Sequence, residues 1–166
     1  MAMDDAPPEI SIRDGRDADS PGLIALVGAC FEEYQGCVLD LDGIDADLID
    51  PATTFAGQGG RLWVAEAGGH IVGSIGYALK DQGATVELKK LYVNRAFRRR
   101  GLASRLYELV HAAAVEHQAA TIDLWSDTRF LEAHAFYLSK GFKQLAESRF
   151  LNDPSKTTEY HFARRL

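Results

Sequence analysis

Arg98, Arg99, Arg100 and Gly101 are the residues whose type and spacing speak first of chemistry. They follow an extended apolar stretch that ends in Leu91-Tyr92-Val93. They lead directly into a segment with Leu102, Leu106, Leu109, Val110 and Ala113 on one helical face. A strand that runs through a basic turn into a helix start is a device for holding phosphate. The helix N-terminus offers unpaired N–H groups and the positive end of its dipole. Gly101 lets the backbone approach a ligand closely, and the arginines add charge and bidentate donors. A basic run is also an ordinary solvated surface, so the order of the elements matters more than the charge.

Other schemes find no support in the residues. His111 and His117 are six apart and so fall on different helix faces. The chain has no Gly-x-Ser-x-Gly elbow, no His-Glu-x-x-His pair and no Gly-x-x-x-x-Gly-Lys loop. Asp40-x-Asp42-Gly43 has the start of a calcium loop but lacks the closing glutamate. Cys30 and Cys37 are not spaced as a metal knuckle and read as small buried hydrophobes, so no metal is expected.

The elements that must position the basic turn come from a chain of 166 residues, 46 % hydrophobic, which suits one domain with a single core. The formal net charge of −6 disfavours nucleic acid or a membrane surface as partner and makes the arginine turn a local exception. No apolar run reaches the roughly 18 residues of a membrane span. The acidic, proline-bearing start MAMDDAPPEISIR is unlike a secretory signal, and the expected location is the cytoplasm.

Residues 1–9 read as a loose tail and 10–166 as the folded domain. Ile10 to Arg13 is a short first strand, followed by a helix with Leu23, Leu26, Val27, Cys30 and Phe31 on one face. Residues 38–60 are irregular and acidic, with Asp40, Asp42, Asp45, Asp47 and Asp50. They are either a solvated surface or a wall of the acceptor pocket that draws in a cationic amine. Gly68-Gly69 joins two strands as a hairpin, and the strand from Thr85 to Val93 completes an antiparallel meander. Lys89 and Lys90 break its alternation and are expected at a sheet edge or ligand mouth. After the helix opened by Gly101 come a strand over 120–126 and a helix capped by Asp127 or Thr128. Two final strands, over 142–145 and 158–162, follow. The expected class is α+β, with a mixed, mostly antiparallel central sheet flanked by helices.

Arg98-x-x-Gly101-x-Ala103 in this setting resembles the central motif of the GNAT superfamily of N-acetyltransferases. The segment Ala133 to Phe142, with Tyr137 four residues before Gly141, resembles the family's downstream helix and strand. The resemblance implies acetyl-CoA as donor and a primary amine, of a small molecule or peptide, as acceptor. It implies that the backbone and charges of Arg98, Arg99, Arg100, Gly101, Leu102, Ala103 and Ser104 hold the pyrophosphate. The backbones of Leu91, Tyr92 and Val93 would pair with the pantetheine arm, and an N–H at that strand's end would polarise the thioester. Tyr137 is the implied general acid, since a phenol of pKa about 10 stays protonated at neutral pH.

Glu87 is the implied base, with strand alternation placing it on the side of Leu91 and Val93. It could equally be an edge glutamate paired with Lys89 or Arg61. His134, three residues before Tyr137, is a second candidate base or a packing residue. The family's usual asparagine seven residues before the tyrosine is here Phe130. Either Ser126, Asp127 or Thr128 takes over its contact, or the strand holds the donor arm. A non-catalytic acyl-CoA sensor is the alternative reading, and sheet-edge pairing would allow a homodimer.

Overall fold

The computed structural model describes residues 8–166. The proposed tail therefore falls largely outside the described residues. Seven strands form one sheet: β1 (Ser11–Asp14), β2 (Arg61–Ala67), β3 (His70–Lys80), β4 (Thr85–Val93), β5 (Thr121–Asp127), β6 (Lys143–Phe150) and β7 (Thr158–Arg165). Their spatial order is β1-β2-β3-β4-β5-β7-β6. Every neighbouring pair is antiparallel except β4 and β5. The α+β class and the mostly antiparallel sheet expected from the sequence are both found.

Four helices cover the sheet: α1 (Ser20–Phe31), α2 (Pro51–Gly57), α3 (Leu102–Glu116) and α4 (Leu131–Ser139). Alternation along the strands divides the core in two. On one face Trp63, Ile75, Leu88 and Val93 meet Leu102, Leu106 and Val110 of α3. On the other, Leu62 and Val64 meet Leu23 and Val27 of α1 and Phe55 of α2. Each such side chain, once buried, contributes roughly 1.5–3 kcal/mol of hydrophobic stabilisation. Gly73 is small because α3 lies on it: an added Cβ would stand 3.2 Å from both Leu102 and Leu106.

Several boundaries differ from the expected ones. α2 was not anticipated, although Asp50-Pro51 is a helix-start signal, with Pro51 in the first turn. α4 begins after Phe130, not after an Asp127 or Thr128 cap; Asp127 instead folds back on Arg129. β6 and β7 run to Phe150 and Arg165, well beyond their expected ends.

β4 carries the irregularity that matters most. It pairs with β3 as Tyr77↔Leu88 and Gly76↔Lys89, then shifts by one residue to Ser74↔Tyr92 and Gly73↔Val93. The extra residue is Lys90, whose φ of 54° is a left-handed conformation. Ser74, fully buried, anchors this bulge by donating its hydroxyl to the Lys90 carbonyl at 2.7 Å. On its other side β4 pairs with β5 only over Thr85–Glu87 with Thr121–Asp123. Beyond Glu87 the two strands part and leave a wedge.

Candidate active site

The wedge holds two cavities that share a wall. One, of about 330 Å³, lies towards α3 and is lined by Val93, Arg98, Arg99, Ala103 and Phe136. The other, of about 390 Å³, lies on the opposite side of the wedge and is lined by Glu87, Lys89, Lys90, Trp125, Arg149 and Glu159. Leu91, Tyr92, Phe130, Ala133 and Tyr137 line both. A ligand entering from each side would meet its counterpart there.

The basic turn ends in the first cavity. Gly101 is the N-cap of α3 with φ 76°, and open space surrounds the position of a Cβ there. Arg105 N–H is the first to reach back along the helix, to the Gly101 carbonyl at 3.0 Å. The N–H groups of Leu102, Ala103 and Ser104 therefore precede the ladder and are free to meet an anion. Arg98 behaves differently from a simple phosphate ligand. Its guanidinium grips Glu33, in the turn just after α1, at 2.6 and 2.7 Å, and its Nε donates to the Val93 carbonyl at 3.0 Å. It braces α1 against the end of β4, while Arg99 and Arg100 remain exposed.

Tyr137 sits in α4, 5 % exposed, its ring among Phe136, Phe142 and Phe162. Among the described residues its hydroxyl has no hydrogen-bond partner. Burial pushes the phenol well above its ordinary range, so it carries its proton throughout neutral pH. Tyr92 was expected to serve through its backbone, yet its ring stands at the same junction, edge-on to Phe31 at 5.9 Å. Burial pushes its phenol up as well, so two protonated phenols face the shared wall.

Glu87 lines the second cavity, but not on the side expected. The bulge at Lys90 exchanges the faces of β4, so Glu87 shares a side with Lys89 and Tyr92, while Val93 turns to the other core. Simple alternation carried no sign of this, because a bulge shifts every later residue by one face. The Glu87 carboxylate meets Lys80 at 3.0 Å and, more loosely, Lys89 at 3.7 Å. Arg61 is occupied by Asp14 instead. Lys80 also holds Asp123 at 2.7 Å.

His134 lines neither cavity. It packs against Tyr160 and Phe162, and its Nε2 lies 2.9 Å from the Asp127 carbonyl. Burial lowers its pKa below the ordinary imidazole value. It is a packing residue. Phe130 turns an expected polar contact into an aromatic wall against Phe31 and Tyr34. Asp127 is taken up by Arg129, and Ser126 faces the second cavity.

The acidic segment does reach the site, and two of its carboxylates are held there by a lysine of the chain. Asp45 and Asp47 hold the Lys90 ammonium at 3.1 and 3.2 Å. Burial opposes that charge, but the carboxylates of Asp47 and Asp45 outweigh it and raise the Lys90 pKa. Lys90 is thus a latch between the β4 bulge and the 38–50 segment. Arg149, Trp125 and Glu159 were not foreseen as cavity residues, Trp125 being read only as a strand former, because nothing in the sequence announces which residues of β5, β6 and β7 share a face.

Comparison with known proteins gives a consistent result. The sequence model of a family described as an acetyltransferase (GNAT) domain matches residues 58–144. Human N-acetylaspartate synthetase is 32 % identical over 118 residues, covering 69 % of this chain and 37 % of that protein. Human N-acetyltransferase 8 is 32 % identical over 135 residues, covering 78 % and 57 % respectively. The chain thus spans less than half the length of the N-acetylaspartate synthetases it matches. Among solved structures, a GNAT-family acetyltransferase from Staphylococcus aureus Mu50 superposes with a TM-score of 0.82 at 23 % identity, covering 95 % of this chain and 99 % of that one. The PaiA N-acetyltransferase from Thermoplasma acidophilum, solved with coenzyme A, gives 0.72 at 14 % identity, covering 95 % and 99 %. These two likenesses establish the fold.

Proposed function

We propose, from the premise that the chain belongs to the GNAT acetyltransferase family, that it transfers the acetyl group of acetyl-CoA to a primary amine by direct attack. The observation that carries this reading is the pair of cavities meeting at Leu91, Tyr92 and Tyr137. One contains the basic turn and the open N-terminus of α3. The other contains a carboxylate.

In this reading the pyrophosphate rests on the N–H groups of Leu102, Ala103 and Ser104, with Arg99 and Arg100 beside it. The pantetheine arm lies along Leu91 to Val93, where β4 has no partner on its β5 side. Glu87 takes a proton from the acceptor ammonium, and the freed nitrogen attacks the thioester carbon. The C–N bond forms as the C–S bond breaks; Tyr137 gives its proton to the departing thiolate, and the second proton that the nitrogen sheds on becoming an amide returns through solvent to the phenolate. The open outer edge of β6, exposed along its whole length, further supports pairing of two copies there.

The test is calorimetric titration with acetyl-CoA and with CoA, followed by a thiol-release screen over an amine panel. Binding with thiol release for one class of amine is the expected result. Binding without turnover would favour a sensor, and no binding would overturn the reading of the basic turn.

A further inference from the structure

The second cavity is lined by more carboxylates than cations, but the donors left unused on its wall belong to two of the cations. Each carboxylate on its wall already has at least one contact, although Asp47 Oδ1 has only its ionic contact to Lys90 and no hydrogen bond. Asp45 and Asp47 share Lys90, and Glu87 has Lys80. Asp127 is gripped by the Arg129 fork at 2.9 and 2.7 Å. Asp153 accepts the Thr157 N–H and hydroxyl at 2.7 and 2.8 Å. Glu159 accepts both Nε and Nη2 of Arg149 on one oxygen, each at 2.8 Å.

The cations on the same wall are less fully used. Lys89 has one ionic contact, Glu87 Oε1 at 3.7 Å, which is too long for a hydrogen bond. Arg149 has its guanidinium centre 4.2 Å from the centroid of the Trp125 ring, and Trp125 is stacked on His161. Its Nε and Nη2 are spent on Glu159. Its Nη1 has no partner among the described residues. A planar guanidinium held by an aromatic face and one carboxylate, with a donor left over, is pre-organised for a second carboxylate.

We propose that the acceptor is an amine that itself carries a carboxylate, an amino acid and not a polyamine, and that Arg149 and Lys89 recognise that carboxylate. The proposal rests on the amine-acetylation reading and narrows it. The two residues come from strands on opposite sides of the wedge, Lys89 from β4 and Arg149 from β6. A carboxylate between them would sit across the opening from the shared wall, leaving the amine of the same molecule to face Leu91 and Tyr137. A second ammonium there would have to compete with Lys80, Lys90, Arg129 and Arg149 for carboxylates they already hold.

The test compares amino acids with their carboxamides and with the matching decarboxylated amines, in wild type and in Arg149→Gln, Arg149→Lys and Lys89→Gln. Wild type is expected to favour the carboxylate-bearing member of each set at least tenfold in kcat/KM. Arg149→Gln should remove most of that preference by raising the acceptor KM, with the acetyl-CoA KM unchanged. Arg149→Lys should restore part of it. Lys89→Gln, a change at a half-exposed position that the fold tolerates, gives the same direction should Arg149→Gln fail to fold. Equal use of acid and amide by wild type, or equal loss on both in the variants, would overturn the proposal.

Acceptor binding to the CoA-loaded protein, followed by calorimetry, separates the two failures. Arg149-dependent binding of an amino acid without turnover keeps this proposal and removes the catalytic reading. Turnover of amines with no carboxylate preference does the reverse, and no amino-acid binding at all removes this proposal.

Discussion

Removing one oxygen atom from Tyr137 separates its chemical role from its packing role. Tyr137→Phe keeps the ring among Phe136, Phe142 and Phe162 and, among the described residues, breaks no hydrogen bond. Stability should therefore change by less than about 1 kcal/mol. The catalytic loss is larger. A positioned general acid contributes typically 10²–10⁴-fold. The leaving group here is a thiol with pKa of about 8.5, which departs as thiolate without full protonation, so the lower end of that range applies. The expected fall in kcat is about 10²-fold, or roughly 2.7 kcal/mol on the barrier. The assay is thiol release at saturating acetyl-CoA, with the acetyl-CoA Kd and the unfolding midpoint measured on the same preparation. A kcat within threefold of wild type, with Kd unchanged, would refute the assignment. Tyr92→Phe is then the discriminating second variant, because its phenol stands at the same wall.

Three further outcomes follow from the geometry. Gly101→Ala places a Cβ in open space but at φ 76°, so it should cost roughly 1–2 kcal/mol from backbone strain alone. It should also weaken acetyl-CoA binding, while Gly101→Asn, better suited to that conformation, should do less harm in both titration and denaturant melts. Lys90→Met leaves Asp45 and Asp47 without their cation and should lower stability by about 3–5 kcal/mol in urea unfolding. His134 has a folded pKa below its unfolded value of about 6.5. As pH falls through that window the unfolded chain takes the proton first, so stability is complete above it and declines below it. His134→Gln should flatten the acid limb of the stability profile, and an unchanged limb would show that other groups set it.

The two ends of the proposed donor side lie in elements that were legible in the sequence because each is local. Val93, the arginine turn, Gly101 and α3 are contiguous, and Tyr137 lies in a helix marked by its own downstream glycine. β4 was placed at its observed bounds for the same reason. The acceptor side was not legible, because it is assembled from β4, β5, β6, β7 and the 38–50 segment, which meet only through sheet order. The bulge at Lys90 is the sharpest case. Two adjacent lysines appear as broken alternation, yet whether the chain absorbs them by a bulge or by an exposed edge depends on Ser74 and on Asp45 and Asp47, distant in sequence. Arg98 illustrates the converse, since the motif foresaw its position but not Glu33, the partner that occupies its side chain.

The position of β7 bears on how the molecule comes into being. It follows β6 in the chain but lies between β6 and β5. β6 therefore has no neighbour in the sheet until β7 has been synthesised and threaded into place. Everything proposed to hold the donor, from β4 through α4, precedes that event on the chain. The wall bearing Arg149 and Glu159 comes after it. During synthesis the nascent chain can therefore carry the proposed nucleotide cradle before the Arg149 half of the proposed acceptor wall exists. Non-local pairings of this kind are also the slow ones, so selectivity is the property a folding defect would remove first.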